Sequence, residues 1–324
     1  MAVQSIVFAL ACLVCFRAFL SLWLQASLPL PPQMLVLEEP DGSRTLHSNL
    51  SSRIPHGLTL AVTTLVLNQA RYLREWIAFH RLMGFQLFIL FDDNSTDDTA
   101  QVLLPYIRTR VVILVHARES FGACARGDHH GSHQQARCQR TVFEYARSQL
   151  LHRTLWMGNF DVDEFIWTPR DARRLPRLLQ STYASYDRVA IRGTVFGDNN
   201  HSVPSPLPVI QAYTRRGTTD PPYDGNFRFG RKELYRPAGV AGVAIHNAWC
   251  WLCSEATVLP LAGDLRMNHY QIKSLAEQRA KAELNGNPMI SFDPYMNSEL
   301  NSVEDTDILY VLSPEAGGGV LLPN

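Results

Sequence analysis

From residue 58 onward the apolar positions switch between two periods, and each switch marks an element. Positions 58–67 are rich in Val, Thr and Leu, the pattern of a buried strand. Tyr72, Trp76, Phe79 and Met83 then recur at helical spacing, which predicts an amphipathic helix closed by Gly84 just past its end. A second apolar run over 85–91 ends in Asp92-Asp93-Asn94-Ser95-Thr96-Asp97-Asp98-Thr99, whose short polar side chains suit the entry to a helix over 97–107. A third run follows at 111–115, then a helix at 134–151, a strand at 154–160, a basic helix at 171–179 and a short strand at 188–192. Strands and helices alternating at this spacing predict an α/β fold, a parallel sheet with helices on its faces. Beyond it the pattern loosens over 193–242, as suits acceptor binding or a lid. A last clear helix covers 274–284, with Ser274 as N-cap and Glu277 completing a capping box.

Ligands on such sheets bind beyond the carboxyl ends of the strands. Asn68 and Asp92 fall at two of those ends, and Asp161 and Asp163 at a third. If the strand persists, Asp161 and Asp163 share one side while Val162 and Glu164 take the other. Two neighbouring carboxylates repel unless a hard cation sits between them, so the pair points to a divalent metal carrying a phosphorylated ligand.

Composition narrows the setting. The 324 residues carry 30 basic and 30 acidic side chains, so there is no basic excess of the kind nucleic-acid binders show. Positions 6–24 are apolar apart from Arg17 and Ser21, long enough to span a bilayer. Residues 1–27 are therefore expected to be a signal-anchor, a cleaved signal peptide being the rival. Residues 28–56 read as a stem, 57–290 as the folded domain and 291–324 as a polar tail. Cys12 and Cys15 lie in the apolar span. Of the other four cysteines, Cys124 and Cys138 can pair as a disulfide, while Cys250 and Cys253 suit a redox or zinc pair equally well. His129, His130 and His133 invite a metal reading too, and with Cys250 and Cys253 they define a rival class, a zinc-stabilised interaction protein. Asn49 and Asn200 open glycosylation sequons. Asn94 does so formally, but it sits in the expected ligand loop and is predicted to stay unmodified.

Several segments together resemble glycosyltransferase family 92. They are Asn68-x-x-Arg-Tyr-Leu-Arg-Glu-Trp-Ile-Ala-Phe-His80 with Gly84, the run from Phe91 to Asp97, Gln135 with Cys138, and Trp156 with Asp161-Val162-Asp163-Glu164-Phe165. Arg192-Gly193-Thr194-Val195-Phe196-Gly197, Arg231-Lys232-x-x-Tyr235-Arg236-Pro237, His246 and Asn268-His269-Tyr270-x-x-Lys273-Ser274 complete the series. The resemblance covers roughly 58–286. It implies a GT-A fold with a mixed, mainly parallel sheet flanked by helices, a UDP-sugar donor with galactose as first guess, a glycan acceptor, β-linkage by inversion, and a single-pass type II Golgi membrane protein with a lumenal domain, or else a secreted one. It also implies Mn²⁺ or Mg²⁺, with Asp163 as a direct ligand, Asp161 toward ribose or metal, and His269 completing the shell. Asp92 would face uracil or ribose beside Asn68, and Lys273 and Arg236 would meet phosphate oxygens. Inversion needs a base on the acceptor hydroxyl. Glu164, Glu233, Glu255 and Asp264 are the candidates, with Glu255 preferred because it follows His246 within the acceptor half. One departure stands out: the family usually has Asn-Glu after the first strand, and this chain has Asn68-Gln69. That leaves donor preference open, and with it a catalytically inactive nucleotide-sugar or glycan binder of the same fold.

Overall fold

The structure is a computed structural model that describes residues 32, 34–125, 132–169, 174–217, 231–258, 263–284 and 299–313. Among the described residues no helix is long and apolar enough to cross a membrane, and the expected anchor at 6–24 lies outside them. His129 and His130 lie outside them as well.

Eleven strands form the central sheet. They are β1 Leu35–Glu38, β2 Arg44–His47, β3 Leu58–Val66, β4 Leu87–Asp92, β5 Val112–His116, β6 Thr154–Asn159, β7 Glu164–Trp167, β8 Arg188–Val195, β9 Arg231–Tyr235, β10 Glu255–Val258 and β11 Arg266–His269. The longer helices are α1 Ala70–Leu82, α2 Thr99–Arg108, α3 Ser132–Leu150, α4 Leu175–Gln180 and α5 Leu275–Leu284. Across the sheet the order is β2-β1-β5-β4-β3-β6-β9-β8-β11-β7, with β10 also beside β8. β5, β4, β3 and β6 are parallel neighbours, so the elements anticipated between 58 and 160 are present within a few residues of their expected bounds.

Period-2 alternation on these strands feeds two cores. Leu60 and Val62 pack with Leu73, Trp76, Ile77 and Phe79 of α1, while Ala61 turns toward Cys138, Val142, Phe143 and Ala146 of α3. Gly84 has φ +99°, and a Cβ there would meet the Pro176 ring of α4 at 2.5 Å, so this helix stop also admits a neighbouring helix. His80 is sealed under α1. Its Nδ1 lies 2.8 Å from the Trp76 carbonyl and its Nε2 accepts from the Ile166 amide, which ties the helix to β7.

Three expectations need correction. The stem is not a plain linker: β1 and β2 form a hairpin that extends the sheet beyond β5, and Leu35, Leu37, Leu50 and Ile54 are buried in the α3-side core. Four-residue strands in a Pro- and Ser-rich stretch are too short to register as periodicity. The polar tail is folded in part as well, since Val303–Glu304 pairs with Arg215–Arg216 and Ile308 and Val311 are buried. The loosened region holds β9, whose charged residues hide its strand character. The four described cysteines form two disulfides, Cys124–Cys138 and Cys250–Cys253. The second pairing removes the thiolates that a zinc site would need.

Candidate active site

The carboxyl ends of β3, β4, β5 and β6 open onto one rim, and the chain punctuates each end with polar groups. After β3, Asn68 takes a left-handed conformation (φ 54°), which suits a short polar side chain that bonds locally. Its Oδ1 accepts from the Thr96 and Asp97 amides, and its own amide donates to Ser95 Oγ. After β4, Asp92 accepts from the Ser95 amide at 3.0 Å and lies 3.5 Å from His116 Nδ1 at the end of β5. Burial opposes the Asp92 charge, but His116 and Ser95 outweigh it and hold the carboxyl below its ordinary value. Asp97 accepts from the Thr99 and Ala70 amides and so joins the starts of α2 and α1. The 92–97 loop is thereby braced from within, which leaves its outer edge as a preformed lip.

β6 stops at Asn159, and the Glu164 amide closes a turn onto the Asp161 carbonyl before β7 begins. The strand alternation expected through 164 therefore fails. Glu164 swings back toward Asp161, its Oε2 accepting from the Asp161 amide at 2.9 Å. Lys232 of β9, fully buried, sits between the two acids, 2.8 Å from Asp161 and 3.2 Å from Glu164. Burial works against the Lys232 charge, yet the two carboxylates raise its pKa. Burial pushes Glu164 up to about 7 against the pull of Lys232. Asp161 also accepts from Gln139 of α3 at 3.0 Å.

Asp163 faces the opposite way, toward the end of β11. His269 Nε2 lies 3.6 Å from its Oδ1, and Lys281 of α5 is 3.7 Å from its Oδ2. The Tyr270 amide donates to the Asp163 carbonyl and fixes this approach. Burial opposes the charge on Asp163, but His269 and then Lys281 hold it well below the usual carboxylate range. Burial likewise opposes a charged His269, and Asp163 raises it. Both Asp163 Oδ1 and His269 Nδ1 are buried without a hydrogen-bond partner. Lys273, half-buried, stands over the Tyr72 ring at 4.7 Å. Burial pushes it down to about 8, Asp163 pulling the other way.

The structure thus brings together Asn68, Asp92, Asp161, Asp163, His269 and Lys273. It does not deliver the full expected set. Asp161 is spent on Lys232 and Gln139 and does not join Asp163 and His269, and among the described residues no three His, Cys, Asp or Glu side chains gather at metal-ligand spacing. Arg236 follows β9 at the opposite rim, where it stacks on Trp156 and donates to the Tyr186 and Ala184 carbonyls. β9 runs antiparallel to β6, which is why a residue at its far end lands away from Asp161.

The expected bases are displaced for similar reasons. Glu233 follows Lys232 in the strand and so faces the other side of the sheet, where Arg231 and the Ala248 amide engage it. Glu255 is held by Arg188 and Arg231, each at 2.7 Å. Asp264 is exposed and precedes β11, at the end away from His269. Lys232, Gln139, His116 and Lys281 went unassigned in the sequence.

A cleft of about 420 Å³ opens between Ala136, Arg137 and Arg140 of α3 and the turn from Ala244 to Asn247. His246 on that turn is within electrostatic reach of Lys232, Asp161 and His269. Loss of hydration, and then Lys232, push it down to about 4.

The model of glycosyltransferase family 92 matches residues 56–300. A family 92 protein of Ricinus communis is 28% identical over 34% of this chain and 17% of its own length. One of Arabidopsis thaliana is 29% identical over 40% of this chain and 21% of its own. These alignments cover about a fifth of the relatives' lengths. Among solved structures, S. aureus TarS 1-349 aligns over 70% of this chain and 65% of its own at 14% identity, with a TM-score of 0.36. The family match takes in β3 to α5, the rim and every side chain just described there, and on that span the chain belongs to glycosyltransferase family 92.

Proposed function

We propose that this chain is a metal-dependent, inverting glycosyltransferase that moves a sugar, galactose first among the candidates, from a UDP-sugar to a glycan. Its setting is a Golgi-type lumen, with residues 1–27 as the membrane anchor. One observation carries the reading. Asp163 and His269, distant in the sequence, meet at the carboxyl rim, with Asp163 Oδ1 and His269 Nδ1 each buried without a hydrogen-bond partner. Such orphaned buried groups are costly unless something bound satisfies them.

A hard divalent cation fits Asp163, and His269 suits Mn²⁺ better than Ca²⁺. When bound, the metal neutralises charge on the departing diphosphate. The chain's own residues do the rest. Asn68 and Asp92 stiffen the lip over which the nucleoside lies. Lys273 and Lys281 supply positive charge beside Asp163 for the diphosphate oxygens. Lys232 keeps Asp161 in place at the mouth of the turn, about one-third exposed and able to accept from a ribose hydroxyl. Glu164 is sealed beneath the rim and holds the turn.

The test is UDP release from the purified chain with Mn²⁺ and a panel of UDP-sugars, followed by the product's anomeric configuration by NMR. One donor should be consumed, with inversion, and chelation should stop turnover. UDP binding with no donor consumed would instead make the protein a nucleotide-sugar binder, the outcome that Gln69 keeps in play. Its side chain bonds the Leu67 carbonyl, and its backbone amide donates to Thr99 Oγ1.

A further inference from the structure

We propose that the cleft between the start of α3 and the turn from Ala244 to Asn247 is an acceptor subsite for an anionic glycan, one bearing a carboxylate or sulfate near the reacting hydroxyl. The word acceptor rests on the transferase reading; the affinity for an anionic glycan does not.

Arg137 and Arg140 stand three residues apart on α3 and so project on the same side. Both are exposed, and among the described residues neither guanidinium has an acidic partner or a hydrogen bond. Across the cleft stand His246 and Asn247, neither of them acidic, with Ile245 as an apolar ledge. Two like charges on one turn of helix repel each other, and an anion between them relieves this. A guanidinium binds carboxylate or sulfate oxygens through paired N–H donors, and the ledge suits the C–H face of a sugar ring.

The cleft is built rather than incidental. Cys138, between the two arginines, is pinned by its disulfide to Cys124 on the buried side. One turn further on, Glu144 accepts from the Val243 amide while Arg147 donates to the Pro237 and Val240 carbonyls, so α3 holds the opposite wall at a fixed distance. Its position is right for an acceptor, because Gln139, between the two arginines, donates to Asp161 at the rim. The donor's diphosphate has separate cations, Lys273 and Lys281, on the Asp163 side.

The experiment is calorimetric titration of the full chain with three oligosaccharides of equal length, one uronate-containing, one sulfated and one neutral. It is run on the native chain, on the R137Q/R140Q double variant and on R110Q as a remote arginine control, with Mn²⁺–UDP titrated in parallel. The native chain should bind one or both acidic oligosaccharides at least about tenfold more tightly than the neutral one. The double variant should lose that preference, with its melting temperature unchanged, and R110Q should keep it. The arm with the larger preference separates carboxylate from sulfate. Equal affinity for acidic and neutral oligosaccharides overturns the proposal, as does an equal loss in R110Q. A double variant that weakens UDP rather than oligosaccharide also overturns it, because the arginines would then serve the diphosphate. Binding is read without turnover, so acidic preference with no donor consumed would sink the transferase reading and leave the subsite standing.

Discussion

Lys232 and Glu233 are consecutive residues of one strand, and they anchor two charged clusters on opposite sides of the sheet. On Glu233's side, Arg188, Arg231, Glu233 and Glu255 form a network in which every carboxylate oxygen is engaged, although Arg188 Nε is buried without a hydrogen bond. Glu233 is engaged at Oε1 by Arg231 and at Oε2 by the Ala248 amide, and Glu255 at Oε2 by two arginines and at Oε1 by Thr257. On Lys232's side, one buried cation serves Asp161 and Glu164, and beyond them Asp163 Oδ1 and His269 Nδ1 have no hydrogen-bond partner. Both clusters are rich in acids. The first spends its acids within the protein. The second leaves a carboxylate oxygen and an imidazole nitrogen, both able to bind a cation, buried without a hydrogen bond. Acidic residues are therefore poor guides to the reaction until their partners are known.

The comparison can be broken at several points. Lys232→Met should have the largest effect, about 3–5 kcal/mol of stability, because it leaves Glu164 buried beside Asp161 without a cation. Chemical denaturation measures it, and a loss below about 1 kcal/mol would mean that the two acids share a proton without needing the lysine. The double variant C124S/C138S releases a link spanning 14 residues and should cost about 3 kcal/mol, read the same way. Asp163→Asn preserves shape and removes charge. It should lower the rate of UDP release by about a hundredfold or more, whereas Glu255→Gln should change it by less than about threefold. A large loss in Glu255→Gln at unchanged stability would reverse the roles of the two clusters.

A pH effect tests the support beneath the rim. Burial pushes His80 down to about 3. The unfolded ring takes up a proton near pH 6.5, while the folded ring stays neutral. The contribution is therefore whole above about pH 6.5 and is lost as pH falls toward 3, at about 1.4 kcal/mol per unit. His80→Gln should flatten the acid limb of a stability-versus-pH curve, and an unchanged slope would show that the ring titrates in the folded state. The smallest effect is an absence: mass spectrometry of secreted protein should find no glycan on Asn94, since the Ser95 and Thr96 side chains of its sequon bond to Asn68.

How much of this was legible beforehand varies by region. Between 58 and 160 the sequence carries its own fold, because parallel strands buried on both faces and helices with one apolar stripe write distinct periods. Asn68, Asp92, Asp161 and Asp163 could be placed at strand ends on that basis, and Gly84 and the Ser274–Glu277 box at helix ends from local chemistry alone. Beyond 190 the signals fade. β9, β10 and β11 are short and carry charges that only their neighbours explain, such as Lys232 under Asp161 and Arg266 over Trp167.

What the sequence by itself determined is the family, the α/β order of the first half and the rim at which polar residues collect, all of them consequences of local periodicity and motif spacing. Tertiary structure alone decided which acids share that rim. A one-residue step along β9 sends Lys232 to one face and Glu233 to the other, the antiparallel run of that strand carries Arg236 to the far edge, and the turn at Asp161 rotates Glu164 back under its neighbour. Each outcome depends on strand direction and register between segments distant in the chain, and a sequence read locally contains neither.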